Sequence, residues 1–122
     1  MKLYFYIDGS DLEDIAEPVA TALAEWIGEA NDKITLVNHR AEANAAKPYA
    51  LPDWDLGIHL TVKSKTELKD PLAFLYGIAK QYKRDFVIGM IDPKTGEHED
   101  VCYFGNEEGR PDLYEIANYL DF

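Results

Sequence analysis

The sequence predicts an α+β domain in which about five mostly antiparallel strands form a sheet, with helices packed mainly on one of its faces. Three observations predict this class. Short apolar runs of strand length alternate with segments whose apolar residues recur every three or four positions, as in amphipathic helices. One strong turn joins two adjacent strand-like segments. Each helical stripe is one-sided and must be covered by a sheet. The predicted order is β-α-β-β-α-β-β-α, in a single domain spanning residues 1–122.

The start of the chain supplies one strand and one helix. Lys2–Ile7 is a short apolar run, which predicts a buried strand. After the turn Asp8–Asp11, apolar residues at helical spacing predict an amphipathic helix that ends near Gly28–Asn31. Pro18 lies inside this pattern, so it either kinks the helix or marks the first turn of a second segment.

Two further strands are predicted before the next helix. Lys33–Asn38 is an apolar run of strand length. Asp55–Lys63 alternates apolar and polar residues, which predicts a strand with one buried face and places His59 on the polar face. Between them, Ala41–Pro52 has little periodicity and two prolines, so we expect a loop.

A second long helix has two candidate starts. Ser64–Glu67 fits the capping-box pattern. Asp70 followed by Pro71 fits an N-cap with proline at the first helical position, and it is the better start for a long helix. Three cations that complement the helix dipole crowd the predicted last turn: Lys80, Lys83 and Arg84.

The C-terminal part predicts a hairpin and a last helix. Asp85–Ile91 is an apolar strand, and Asp92–Gly96 places proline and glycine where a tight turn needs them. Glu99–Phe104 is expected to return as the partner strand. The loop Gly105–Arg110 is bracketed by glycines, and Pro111–Asp112 opens the final helix.

Composition excludes several classes of function. No apolar run approaches the roughly 20 residues that cross a bilayer, and the N-terminal run is too short for a signal peptide, so we expect no membrane association. Cys102 is the one cysteine, which excludes an internal disulfide and indicates a reducing compartment, the cytoplasm. At a formal charge of −11 the chain would repel phosphates, so we expect no nucleic-acid partner.

The negative charge is unevenly distributed along the chain. Residues 1–32 carry eight acids and one base, and residues 92–122 carry nine acids and two bases. The segment between them has six acids and nine bases. Acidic surface attracts basic partners, so both ends of the chain are candidates for binding a basic protein.

No catalytic motif is present. A catalytic cysteine needs a stabilised, exposed thiolate, whereas Cys102 lies mid-strand beside Glu99 and Asp100 and is interpreted as structural. Ser10 lacks the Gly-x-Ser-x-Gly frame of a nucleophile elbow. The three histidines form no His-x-x-x-His pair, and no Gly-x-x-x-x-Gly-Lys phosphate loop exists. We therefore expect no enzyme, no dedicated metal site and no cofactor.

Paired carboxylates offer the best enzymatic alternative. Asp8 follows the first predicted strand, and Asp92 follows the strand before the hairpin. If those strands are neighbours and parallel, both carboxylates lie at one sheet edge and could bind Mg²⁺ or act as acid and base. An aspartate after a strand also commonly starts a turn.

Acidic and aromatic residues are concentrated in the predicted hairpin and the loop after it. Rings give contact area and acids steer a basic partner, which is typical of binding surfaces. Trp54, between Asp53 and Asp55, is either a second anchor on a loop or a plug for one end of the core. The predicted partner-binding residues are Trp54, Glu97, Glu99, Asp100, Tyr103, Glu107 and Glu108.

Four segments of the C-terminal half carry a resemblance to a known group of proteins: Asp70–Leu75, Asp85–Gly89, Glu99–Gly105 and Glu107–Asp112. In size, acidity, α+β order and acidic aromatic character, the chain resembles small bacterial immunity proteins, which are encoded beside polymorphic or contact-dependent toxins. The resemblance covers roughly half of the chain. It implies a cytoplasmic protein that binds and blocks a toxin domain, often a basic nuclease, and it implies no individual site residues.

The sequence thus predicts a non-catalytic, cytoplasmic protein that sequesters or inhibits a basic protein partner through acidic surface. Two alternatives stay open. One is a small metal-dependent or acid–base enzyme that uses Asp8 and Asp92. The other is a structural or adaptor domain that forms a homodimer through an exposed sheet edge.

Overall fold

Five strands form one open sheet in the computed structural model, which describes residues 1–9, 11–28, 32–40 and 54–121. The strands are β1 (Lys2–Ile7), β2 (Ile34–Arg40), β3 (Trp54–Thr61), β4 (Asp85–Ile91) and β5 (His98–Gly105). Their order across the sheet is β2-β3-β1-β4-β5, and every neighbouring pair is antiparallel. The first strand of the chain is therefore the central one.

Three α-helices accompany the sheet: α1 (Glu13–Ile27), α2 (Lys69–Tyr82) and α3 (Leu113–Tyr119). A short 3₁₀ helix, Lys65–Leu68, leads directly into α2. The element order and the antiparallel sheet confirm the predicted α+β class.

The two faces of the sheet are separated by the alternation of side chains along β1. Leu3, Phe5 and Ile7 point to the helices and belong to the main core cluster, together with buried residues of α1, α2 and α3. Tyr4 and Tyr6 point the other way and form a second, smaller buried cluster with Val87. We call these sides the helix face and the second face.

Two predictions about helix starts need correction. α1 is a single helix from Glu13 to Ile27 with the exposed Pro18 inside it, so the proposed second segment at Pro18 is wrong. α2 begins at Lys69, after the 3₁₀ helix, and Asp70 lies in its first turn instead of capping it. A carboxylate there still complements the positive end of the helix dipole.

The Ser64 cap predicted before α2 is not formed, whereas α3 begins with a side-chain cap. The capping box predicted over Ser64–Glu67 is displaced, because Glu67 Oε2 accepts a hydrogen bond at 2.8 Å from the backbone N–H of Lys63, the residue before the N-cap Ser64. The Ser64 side chain makes no cap bond. Asp112 caps α3 as expected, since its Oδ1 accepts from the Tyr114 and Glu115 backbone N–H groups.

Trp54 is the first residue of β3 and does not lie on a loop, which corrects that alternative. Its ring is half-buried against the main core, and its Nε1–H donates to Asn38 Oδ1 at 2.8 Å. The bond joins β3 to the edge strand β2, which the register pairs side by side. The predicted loop Ala41–Pro52 lies outside the described residues.

Candidate functional site

The candidate site is the second face, because no helix of the described ranges packs against it. The register places four rows of side chains across this face, and the two central rows hold its tyrosines. One row runs Thr35, His59, Tyr4, Gly89, Asp100, and the next runs Val37, Gly57, Tyr6, Val87, Tyr103.

Tyr4 crosses a neighbouring strand to reach a carboxylate on the strand beyond. Its hydroxyl donates a hydrogen bond to Asp100 Oδ1, although β4 lies between β1 and β5. The crossing is possible because the residue of β4 in the same row is Gly89. A Cβ on Gly89 would stand 2.0 Å from Tyr4 Cζ, well inside van der Waals contact. Gly89 thus makes room for the ring, and Tyr4 ties the edge strand β5 to the centre of the sheet.

The hydroxyl of Tyr6, on the central strand β1, contacts one histidine from β3 and one histidine from β5. Tyr6 Oη lies 2.5 Å from His59 Nε2 and 3.3 Å from His98 Nε2. The rings also pack together: Tyr4 stacks on Tyr6 with centroids 4.8 Å apart, and the two imidazole centroids are 6.0 Å apart. We call Tyr6, His59 and His98 the histidine cluster.

Burial and local charge shift the ionisation of these groups. Burial, with a smaller contribution from Asp55, raises the pKa of Tyr6 to about 12. Burial and then the hydrogen bond to Asp100 raise the pKa of Tyr4 even further. Burial, followed by Lys2 and His98, lowers the pKa of His59, against a smaller opposing effect of Asp55. Near neutral pH both phenols are therefore protonated and His59 favours its neutral form.

One end of the second face is strongly acidic. A groove of about 530 Å³ is lined there by Asp8, Asp55 and Asp100, with Tyr6 and Trp54 as aromatic walls. All three carboxylates belong to exposed residues.

Tyr103 stands beside this acidic end with its side chain 45% exposed. Burial first, and then the charges of Asp100, Asp8 and Glu108, raise its pKa. The phenol and the carboxylates thus share one region of the surface.

The structure distributes the seven predicted partner-binding residues over four places. Trp54 and Asp100 line the acidic groove, while Tyr103 and Glu108 line a smaller groove, of about 430 Å³, between β5 and α3. The remaining three are divided between the β4–β5 hairpin, which carries Glu97 and Glu99, and the loop after β5, which carries Glu107.

The backbone of two of these acidic residues, Glu107 and Glu108, is held by hydrogen bonds to Asp85. The Glu107 and Glu108 backbone N–H groups donate to Asp85 Oδ1 at 2.9 and 3.2 Å. Asp85 thereby fixes the loop, while the exposed carboxylates of Glu107 and Glu108 lie outside this contact.

Four site residues were not predicted from the sequence: Tyr4, Tyr6, His59 and His98. Tyr4 and Tyr6 belong to a run that is apolar at every position, which indicates a strand buried on both faces and does not reveal polar partners. His59 was correctly placed on the polar face of its strand. Its contact with His98, 39 positions later, depends on the strand order, which no short-range pattern contains.

The carboxylate-pair alternative required parallel neighbours, and this condition is wrong. β1 and β4 are neighbours but antiparallel, so their C-terminal ends lie at opposite ends of the sheet. Asp8 therefore lies near Asp85, to whose carbonyl its backbone N–H donates at 2.8 Å. Asp92 lies at the hairpin, where its Oδ1 accepts from the Lys94 N–H at 2.7 Å.

Cysteine and metal chemistry receive no support from the described residues. Cys102 is half-buried, and burial, with a smaller contribution from Glu115, raises the pKa of its thiol to about 11, which disfavours a reactive thiolate. Across residues 1–9, 11–28, 32–40 and 54–121, no three His, Cys, Asp or Glu side chains are grouped as metal ligands.

Comparisons with protein-family models, curated proteins and solved structures each gave no match. Among the described residues, none of the helices is both long and apolar enough to span a bilayer.

Proposed function

We propose that this protein is a non-catalytic binding protein and that it holds a basic protein partner on the second face. The observation that carries the proposal is the make-up of that face. Its buried aromatic centre, Tyr4 and Tyr6, lies inside a rim of exposed carboxylates and the exposed ring of Tyr103. An aromatic centre with a polar rim is the usual anatomy of a protein–protein interface.

The charge of the second face favours a basic partner. Exposed Asp8, Asp55 and Asp100 lie on this side, and among the described strand residues Lys2 is the cation that shares it. Such an excess of carboxylates speeds the approach of a positively charged surface and repels an anionic one. The partner class that fits is therefore a basic protein.

Binding to the second face would inhibit a partner whose positive charge lies in its functional cleft. Proteins that act on phosphates commonly line their functional cleft with lysine and arginine. Carboxylates that occupy this cleft would exclude the substrate. Neutralisation of a toxin domain by an immunity protein, the role that the resemblance implies, is one form of this function.

Self-association through β5 is opposed by the structure of that edge. The register of β4 and β5 shifts between Ile88 and Gly89, where a bulge interrupts regular pairing. Exposed Glu99 and Asp100 lie on the edge strand itself. Bulges and charges are the means by which edge strands avoid pairing with copies of themselves. The homodimer alternative would need another edge or face.

The proposal is tested by affinity capture with matched variants. Wild-type protein, immobilised and exposed to a lysate of its native host, should retain one basic protein in stoichiometric amount and release it at high salt. Tyr103→Ala and Asp55→Lys on the second face should abolish retention. Tyr114→Ala on α3 and Glu17→Lys on α1 make the same chemical changes at exposed positions of helices and should retain it.

Two results would contradict the proposal. One is retention that is equal for the second-face variants and their controls. The other is loss of retention in the α1 and α3 variants only. If a partner is retained as predicted, its own activity should fall when the purified protein is added in equimolar amount.

A further inference from the structure

The histidine cluster lies within the surface that we propose as the binding face. His59 comes from β3 and His98 from β5, and the side chain of Tyr6 on β1 joins them. His98 is exposed and His59 is half-buried, so both rings can exchange protons with solvent.

The hydrogen bond that the Tyr6 hydroxyl donates within the cluster requires at least one neutral histidine. A phenol donates one hydrogen bond and accepts others, and a neutral imidazole has one N–H and one bare nitrogen. With both rings neutral, Tyr6 can donate to one Nε2 and accept from the other ring's Nε2–H. If both rings are protonated, both Nε2 atoms are donors, and the Tyr6 proton has no acceptor within the cluster.

Protonation also brings like charges together. The two imidazole centroids are 6.0 Å apart, and Lys2 lies close enough to disfavour the charged form of His59. Besides the two histidines of the cluster, all five strands contribute ionisable groups to this side: Lys2, Tyr4 and Tyr6 on β1, His39 on β2, Asp55 on β3, Asp85 on β4, and Asp100 and Tyr103 on β5. Asp8 follows directly after β1, and the other β4 residues of this face, Val87, Gly89 and Ile91, do not ionise. Glu97 and Glu99 flank His98 in the sequence.

We propose that protonation of His59 and His98 weakens the binding of a basic partner, so that the second face binds at neutral pH and releases in mild acid. The inference rests on the proposed function of this face. Each proton adds one positive charge to a surface whose attraction depends on carboxylates, and protonation of both rings leaves the Tyr6 hydroxyl proton without an acceptor in the cluster. Aspartates remain ionised and tyrosines remain protonated between about pH 5.5 and pH 8, so the side chains of this face that change charge there are its histidines.

A peptide of six arginines tests the inference, because its charge is constant over this pH range. Its affinity for wild-type protein is measured at about pH 8 and about pH 5.5, and its position is mapped from the NMR shifts of the second face and of α1. We expect the peptide to contact the second face at the higher pH. We expect its dissociation constant to rise about tenfold at the lower pH.

Three variants assign the effect to the cluster. His59→Gln/His98→Gln should bind with nearly the same affinity at both pH values. The exposed His98→Gln alone should lose about half of the pH effect, and it protects the test against misfolding of the double variant. His39→Gln, which removes the remaining histidine of this face, should keep most of the effect.

A wrong binding face and a wrong role for the histidines give different results in this experiment. If the peptide contacts α1 and not the second face at the higher pH, the proposed function of the face is wrong and the inference falls with it. If the peptide contacts the second face but the double variant keeps the wild-type pH dependence, the binding face stands and the histidine inference is overturned.

Discussion

The two faces of the sheet are built from the same strands but closed in different ways. On the helix face, Phe5 is fully buried beneath helices, in a cluster made of apolar side chains. On the second face, the preceding residue, Tyr4, is only 2% exposed, although no described helix covers it. It is buried by side chains of its own sheet, including Tyr6, His98 and Asp100.

The two faces are expected to contribute differently to stability and to binding. Apolar contacts on the helix face are non-directional and contribute mainly to stability. The second face depends on hydrogen bonds and ring contacts among groups that can ionise or meet a partner. We therefore expect substitutions on the helix face to change stability strongly, and substitutions on the second face to change binding and pH response more than stability.

The largest predicted contrast uses two isoleucines of β4. Ile88→Ala removes a fully buried side chain of the helix face and should lower the free energy of unfolding by about 3–4 kcal/mol. Ile91→Ala on the second face removes a half-buried side chain and should cost about 1 kcal/mol. Urea denaturation of both variants measures the difference. Equal losses would mean that the second face supports the fold as much as the helix face does.

Gly89→Ala tests the crossing of Tyr4 over β4. The new methyl group would meet the Tyr4 ring at 2.0 Å, so the ring must move, and we expect a loss of about 1–3 kcal/mol. The control is Gly77→Ala in α2, where an added Cβ has no atom within 4 Å, and which should be neutral or stabilise by up to about 1 kcal/mol. Unchanged stability and an unchanged Tyr4 NMR environment in Gly89→Ala would show that the crossing is absent.

Tyr4→Phe isolates the hydrogen bond to Asp100. The ring stays and the hydroxyl is lost, so the free energy of unfolding should fall by about 1 kcal/mol. Tyr114→Phe removes the same hydroxyl from a side chain that is 69% exposed and should change stability by less than about 0.5 kcal/mol. Thermal denaturation of the two variants side by side is the measurement. A Tyr4→Phe variant as stable as the control would indicate that this bond does not hold β5 to the sheet.

The smallest predicted effect is a dependence of stability on pH. Burial first, and then Lys2 and His98, lower the pKa of His59 in the folded state, so the unfolded chain binds a proton more readily. Stability is therefore complete above the unfolded pKa of about 6.5 and falls as the pH drops through it. Because the ring is partly exposed and solvent screens the charge, the loss should be less than about 1 kcal/mol.

Denaturation between about pH 7.5 and pH 5.5 measures this loss. His59→Gln should remove it, whereas His39→Gln should keep it. Stability that rises on acidification over this interval would reverse the sign and contradict the described environment of His59.

The fold was largely predictable because its signals are local. Period-two alternation located β3, the Asp92–Gly96 turn located the hairpin, and Asp112 marked the start of α3. The incorrect prediction of the start of α2 also depended on a local pattern. Asp70 lies in the first turn of α2 because the preceding 3₁₀ helix leads directly into it, and this continuation was not encoded in the N-cap pattern.

The candidate site was less predictable because it is assembled from distant segments. Asp100 and Tyr103 were identified by composition, and the structure places both on the second face. The sequence predicts Tyr4 and Tyr6 as residues of a buried strand, and nothing near them indicates their partners: Asp100 is 96 positions from Tyr4, and His59 is 53 positions from Tyr6. Only the order β3-β1-β4-β5 brings these side chains together.

Hydroxyl-radical footprinting of the protein bound to its captured basic partner decides whether the second face is the binding surface. Tyr103 on the second face and Tyr114 on α3 are both exposed in the free protein, so each reports on its own surface within one sample. We predict that Tyr103 becomes protected in the complex and that Tyr114 stays reactive. Protection of Tyr114 with Tyr103 still reactive would place the partner on the helices and show that the second face is not the binding surface.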